Sequence, residues 1–276
     1  MNFGLVIIGD EILSGKRADK HLARAIDILG ARGLQVAYAD YVGDAPARIT
    51  ATFERAFATG DVVFSFGGIG ATPDDHTRQC AAKALGCELV LHPQAQALIL
   101  ERMQDVACEQ GIAFEPERSD NLHRLNMGMF PQGAEIIPNP YNKIPGFFCA
   151  SPHHDVAGER RGIHFVPGFP VMAWPMVEWV LDTHYAPCFK TGAWLERSVI
   201  VFGAMESTLT PLMEILEQQF GVKVFSLPSV DHPQWGRHIE LGVKGVPDVV
   251  AVAFGALLSG LKQMGASLGP ELVRSQ

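Results

Sequence analysis

The chain reads as an α/β protein, a mostly parallel sheet covered by helices, followed by a smaller α+β unit. Three observations predict this. Strand and helix patterns alternate from Phe3 to Leu85, the first strand is apolar along its whole length, and the pattern restarts as a short β-α-β-β-α series after a Pro- and Gly-punctuated stretch near Ala186 to Trp194. Phe3 to Ile8 is continuously apolar, as a strand buried on both faces must be. Ala18 to Ala31 carries Leu22, Ile26 and Leu29 at helical spacing and is ended by Gly33. Val36 to Val42 is the second strand. Pro46 opens a helix to Thr59 with Ile49, Phe53 and Phe57 on one face. Asp61 to Phe66 is the third strand, and this βαβαβ order requires right-handed crossovers.

Helices are then expected from about Asp75 to Leu85, Pro93 to Glu109 and Ser119 to Met127. Short strands follow at Ala134 to Ile137, Phe147 to Ala150 and Ile163 to Val166, and then a helix to about Asp182. The second unit is read as strand Ser198 to Phe202, helix Glu206 to Phe220, strands Val222 to Leu227 and Arg237 to Val243, and helix Val246 to Met264. The domains are expected at residues 1–186 and 190–276.

Composition narrows the function. At 276 residues, 47% hydrophobic and 19% charged, the chain can fill two cores. A net charge of -8 disfavours nucleic acid and anionic membrane as partners, but not a phosphate held locally by backbone N–H groups. Five scattered cysteines with no C-x-x-C pair read as reduced thiols of a cytoplasmic protein. No signal peptide and no membrane span are expected.

The strongest chemical signal is Gly67-Gly68-Ile69-Gly70-Ala71-Thr72-Pro73-Asp74-Asp75-His76-Thr77, directly after the third strand. Glycines there let the backbone turn sharply and approach a ligand, and the next helix adds its positive dipole end. The spacing is not that of a P-loop. Asp75 reads either as a Mg²⁺ ligand or as the N-cap of its helix. Gly9-Asp10-Glu11-Ile12-Leu13-Ser14-Gly15 and Val42-Gly43-Asp44 follow strands one and two, so topology brings all three loops to one sheet edge. Pro167-Gly168-Phe169-Pro170 precedes a helix and adds a weaker anion-facing turn. Asn139 to Lys143 offers amides and a cation, or is a plain surface turn. Tyr141 and Phe147 suit ring stacking or core packing. His153, His154, Asp155 and His164 invite a metal reading but fit no closed zinc pattern, so a solvated loop is expected. No Ser-His-Asp order or G-x-S-x-G elbow is present.

In that order, these motifs resemble the molybdopterin-binding (MoaB/Mog-like) domain family, most closely the N-terminal region of the competence/damage-inducible CinA proteins. The resemblance covers nearly the whole chain, with a tail similar to that family's small KH-like domain. It implies a three-layer α/β/α domain and a pterin or adenine-nucleotide phosphate as ligand. Metal-dependent hydrolysis of a pyrophosphate such as ADP-ribose is one implied activity; adenylylation of molybdopterin, or binding without catalysis, are the alternatives. Carried over by position, Asp44 and Asp75 are the implied catalytic and Mg²⁺-binding (or other divalent) carboxylates. The implied ligand residues are Asp10, Glu11, Ser14, Gly15, Gly67, Gly68, Gly70, Thr72, Asp74, Thr77, Pro167 and Gly168. A homo-oligomer is expected from relatives. The chain's end at Gln276 leads to the expectation that the deamidase domain of those proteins, and its nicotinamide-nucleotide deamidation, are absent. The KH-like tail lacks a G-x-x-G loop and is not expected to bind RNA. Departures from the family pattern fall at Asp19-Lys20-His21, where an Asp-x-Asn element is usual, at Asn142 to Gly146, at the His-rich stretch before Pro167, and at Phe169, where a proline is usual.

Overall fold

The computed structural model describes residues 1–152, 159–190 and 195–275. Two compact units are present, Met1–Leu29 with Leu34–Cys188, and Gly30–Gly33 with Phe189–Gln276.

In the first unit the elements run β1 (Phe3–Ile8), α1 (Asp10–Leu13), α2 (His21–Gly30), β2 (Val36–Val42), α3 (Pro46–Thr59), β3 (Val62–Phe66), α4 (Thr77–Leu85), β4 (Leu89–Leu91), α5 (Pro93–Gln110), α6 (Ser119–Leu125), β5 (Met129–Pro131), β6 (Glu135–Ile137), β7 (Gly146–Ala150), β8 (Gly162–Val166) and α7 (Pro170–His184). The main sheet has the order β2-β1-β3-β8-β7-β6. Strands β2, β1, β3 and β8 are parallel, and β7 runs antiparallel between β8 and β6. The sheet is therefore mostly parallel. Every residue of β1, β3 and β8 is buried, because helices cover both faces of these central strands. On one face Ile49, Phe53 and Phe57 of α3 and Ala81 of α4 pack with Val6, Val63 and Phe165. On the other, His21 of α2 stacks on Phe66, and Tyr185, just past α7, meets Phe3 and His164. Leaving β1, the chain crosses one face to reach β2; leaving β2, it crosses the other to reach β3. The gap between the ends of β1 and β3 is a topological switch point, where open parallel sheets seat ligands.

Some local structure was not anticipated. Strands β4 and β5 form a separate antiparallel pair, too short to show a period. Helix α2 begins at His21 rather than Ala18, because Asp19 accepts the amides of His21 (2.8 Å) and Leu22 (3.1 Å) and so sets the first turn. Helix α4 begins at Thr77 rather than Asp75. His153, His154 and Asp155 lie outside the described residues.

The second unit comprises β9 (Leu195–Phe202), α8 (Glu206–Phe220), β10 (Lys223–His232), β11 (Gly236–Gly245), α9 (Pro247–Gln263) and β12 (Ser267–Ser275). Its antiparallel sheet has the order β10-β11-β9-β12. Val199, Val201, Leu209, Leu216, Phe254 and Leu257 form its core with the two helices. The sequence reading stopped at α9 and missed β12. A register irregularity between Leu268 and Glu271 breaks the alternation there, and the strand is recognisable only by pairing with β9. Arg274 on β12 bonds Glu196 at 2.8 Å, and Ser198 Oγ donates to Glu240 at 2.6 Å. Among the described residues, no helix is long and apolar enough to cross a membrane.

Candidate functional site

A cavity of about 690 Å³ opens at the switch point of the first unit. Five separate stretches line it: Ile7 to His21, Asp44, Phe66 to Asp75, Asn139 to Pro145, and Pro167 to Met172 contribute, together with Met127. Of the residues expected at the site, Glu11, Asp44, Gly67, Gly68, Gly70, Thr72, Asp74, Asp75, Pro167 and Gly168 line it directly. Asp10, Ser14 and Gly15 are exposed and Thr77 is buried, and none of the four lines the cavity. Ser14 closes α1 through its amide to the Asp10 carbonyl, and Gly15 follows in the left-handed region.

The glycine loop is held from beneath. Gly67 and Gly68 have φ of 99° and 68°, a region open to glycine and costly for other residues. Buried Thr77 donates its hydroxyl to the Gly67 carbonyl (3.0 Å), and its amide bonds the Gly68 carbonyl (3.1 Å). Arg78, also buried, donates to the Ile69 carbonyl. Burial pulls its guanidinium pKa down from the usual arginine value, against the attraction of Asp75. The Gly67 amide is spent on the Val166 carbonyl at 3.1 Å. By contrast, the amides of Gly68, Ile69 and Gly70 donate to no protein group among the described residues. Unspent N–H groups beside a buried cation make an anion-binding concavity.

Asp75 does not cap α4, whose first residue follows His76 with no side-chain cap bond. Its Oδ2 instead accepts the Thr72 amide (2.8 Å) and the Thr72 hydroxyl (2.5 Å), closing the Thr72–Asp75 turn. Asp44 and Asp10 are reciprocally bonded: the Asp10 amide reaches Asp44 Oδ2 at 2.9 Å, and the Asp44 amide reaches Asp10 Oδ1 at 3.2 Å. Burial raises the Asp44 pKa, and the carboxylates of Asp10, Glu11 and Asp74 push it further the same way. Among the described residues no group of three or more His, Cys, Asp or Glu side chains could hold a metal ion.

For several residues at the site the partners were not readable from sequence. Lys20 and Arg17 line the cavity and bring positive charge, Arg17 lying 3.7 Å from Glu11. His21 is buried, and its Nε2 hydrogen-bonds the Gly168 carbonyl at 3.1 Å. It joins the end of β3 to the Pro167–Pro170 turn. Asn139 is buried and knits its own turn, with Nδ2 on Asn142 Oδ1 (2.8 Å) and on the Ile144 carbonyl (2.9 Å). The signal for the partners of His21 and Asn139 is spatial, since neither side chain repeats in a local pattern. Lys143 is left-handed (φ 65°), and its ammonium is held by Glu101 and Asp105 on α5, both at 2.6 Å. It therefore gives the cavity no cation. Phe147 is wholly buried against Phe130 and Phe165, while Tyr141 is exposed and away from the lining. His164 is also buried, with Nε2 2.8 Å from the Tyr185 hydroxyl, which donates to the Arg160 carbonyl.

Comparison with known proteins accords with this geometry. Residues 4–186 match the family described as "Probable molybdopterin binding domain". A CinA-like protein of Syntrophotalea carbinolica is 30% identical over 232 residues, 81% of this chain but 52% of its own length, so the match takes in about half of that relative. A protein of Thermoplasma volcanium is 29% identical over 81% of this chain and 79% of its own. The crystal structure of the protein CinA, with unknown function, from Thermoplasma acidophilum superposes with a TM-score of 0.52 at 28% identity, covering 66% of this chain and 96% of that one. The chain thus belongs to the molybdopterin binding domain family.

Proposed function

We propose that the first unit binds a phosphorylated pterin or adenine nucleotide at the switch point and, with Mg²⁺ or another divalent cation, hydrolyses a phosphoanhydride of the ADP-ribose kind. The observation that carries this reading is the set of unspent amides at Gly68, Ile69 and Gly70 beside the buried guanidinium of Arg78. They bind phosphate oxygens and hold them against the sheet edge.

The residues fit a cation that the ligand itself completes. Asp44 stands among like charges that a cation relieves, and Asp75 keeps Oδ1 free of the Thr72 bonds. Mg²⁺ commonly takes one or two carboxylates plus substrate phosphates, so a full protein cage is not needed. When bound, the ion supplies charge neutralisation at the phosphoryl group. In the reaction a water oxygen bonds to phosphorus, the anhydride P–O bond breaks, and a nucleoside monophosphate and a sugar phosphate leave. The glycine loop positions the phosphate, Thr77 and Arg78 hold the loop, and Lys20 and Arg17 offset the ligand's charge.

Incubation with Mg²⁺ and ADP-ribose, with AMP release followed by chromatography, tests it. Turnover that EDTA abolishes, and that Asp44→Asn lowers by at least about 100-fold with ligand affinity kept within a few-fold, is the expected result. Failure of any nucleotide or pterin phosphate to bind the wild type rejects the reading outright. A second reading is binding without turnover, favoured by the engagement of Asp75 with Thr72 and by the lack of a three-ligand cluster among the described residues. Tight binding with no product, including none from ATP plus molybdopterin, identifies that case.

A further inference from the structure

Phe169 stands apart among the large apolar side chains of the first unit. It is 58% exposed, yet it lines the cavity. Its side chain has no local structural task. It occupies the N-cap of α7, a position favoured by Ser, Thr, Asp and Asn because their side chains bond the first turn, and it makes no such bond. The capping is done by its backbone carbonyl, which accepts the amides of Met172 (3.0 Å) and Ala173 (2.9 Å). Among the described residues no aromatic ring or cation packs on it. Its direction is nonetheless set in advance. Pro170 holds the preceding residue extended, and Phe169 has φ −89° and ψ 117°.

Its neighbours divide the cavity chemically. Gly168, one residue back, lies against Gly67: a Cβ built on Gly168 would sit 3.4 Å from Gly67 Cα. Phe169 and Gly67 to Gly70 line the same cavity. Three residues on, Met172 Sδ accepts a hydrogen bond from Asn142 Nδ2 at 3.6 Å, and a thioether is a weak acceptor. Ile144, Pro145 and Pro170 complete an apolar wall. A ligand anchored by phosphate on the loop shares the cavity with an exposed phenyl side chain and with an amide donor whose partner is a thioether.

We infer that Phe169 is a specificity-determining residue, a stacking platform for the flat heteroaromatic ring of the phosphorylated ligand, with Asn142 donating to an acceptor on the ring edge. The assignment rests on the phosphate-loop reading above and adds to it the residue that recognises the ligand's ring. A purine and a pterin share that chemistry, and binding assays separate them.

Calorimetry with AMP, neopterin monophosphate and ribose 5-phosphate, on wild type and on Phe169→Ala, Phe169→Leu and Phe169→Tyr, is the test. Stacking of one base on one aromatic side chain is worth roughly ten-fold in affinity. Expected is a roughly ten-fold loss for at least one ring-bearing probe in Phe169→Ala, a partial loss in Phe169→Leu and near-complete rescue in Phe169→Tyr, with ribose 5-phosphate binding unchanged throughout. Whether AMP or neopterin monophosphate shows the effect names the ring. Equal binding of the ring-bearing probes by Phe169→Ala and wild type overturns the inference while leaving the phosphate site standing. An equal loss for ribose 5-phosphate overturns it too, by showing that the side chain merely supports the wall. Failure of wild type to bind any of the three removes both the inference and the phosphate-loop reading.

Discussion

Two neighbouring strands of the first unit end in glycine turns that do opposite jobs. After β3, Gly67 and Gly68 take left-handed backbone and present amides; after β8, Pro167 and Pro170 frame Gly168 and present a side chain, Phe169. One turn is a backbone surface, tied from below by Thr77 and Arg78. The other is a rigid arm that His21 fastens to the first through Phe66 and the Gly168 carbonyl. A parallel sheet can thus build a backbone surface and a side-chain surface next to each other, provided that glycine conformation is obligatory in one and proline rigidity in the other.

Substitution at Gly68 breaks this contrast most severely. A Cβ there would lie 2.2 Å from Thr77 Oγ1, at a φ of 68°. Gly68→Ala is expected to cost about 2–4 kcal/mol in urea unfolding and to abolish phosphate binding. An unchanged midpoint would show that the loop is slack. Thr77→Val comes next. Loss of the hydroxyl bond to Gly67 is expected to cost about 1–2 kcal/mol, with Thr77→Ser restoring most of it. Equal loss in the Ser variant would assign the effect to packing.

His21 sets a pH dependence across both turns. Burial holds its imidazole below the ordinary 6.5, outweighing the Gly168 carbonyl and the Asp19 carboxylate that favour the proton. As pH falls the unfolded chain takes the proton first, so the stability is complete above about 6.5 and declines below it. His164, held lower still by burial, adds to the same slope. His21→Gln is expected to keep the bond to Gly168 and flatten part of the decline below about pH 6.5 in thermal unfolding. An unchanged slope would leave the effect to His164. The smallest effect belongs to Gly168→Ala. Its Cβ meets Gly67 Cα at an ordinary 3.4 Å, and stability should stay within about 0.5 kcal/mol. A larger loss would mean that the second turn, too, depends on glycine.

Much of this architecture was legible in the residues. The apolar runs of β1 and β3, Pro46 opening α3 and the strand-then-glycine order place the loops at one sheet edge from the sequence alone. Periodicity and turn chemistry carry that information locally. Side-chain partners are not local. Nothing in the sequence distinguished Asp75 as a helix cap from Asp75 as the clasp of the Thr72 turn, because both keep the residue just ahead of a helix. Arg78 carries no local signal, and its burial with a bond to the Ile69 carbonyl follows only from how the loop folds back. His21 and Gly168 are separated by 147 positions, beyond the reach of any pattern. Strand β12 lacks the regular alternation that would have revealed it.

The scatter of the cavity lining along the chain has a consequence for folding order. Gly9, Gly67 and Phe169 meet only after β8 has paired with β3, and β8 is the last strand of its unit. The pocket cannot exist on a partly synthesised chain that stops short of α7. A ligand of this cavity selects the finished unit and withholds its binding energy from every earlier intermediate, so saturation at a hundred times Kd adds about 2.7 kcal/mol to the completed fold alone. Slowed unfolding, rather than faster folding, is then the kinetic trace that ligand leaves.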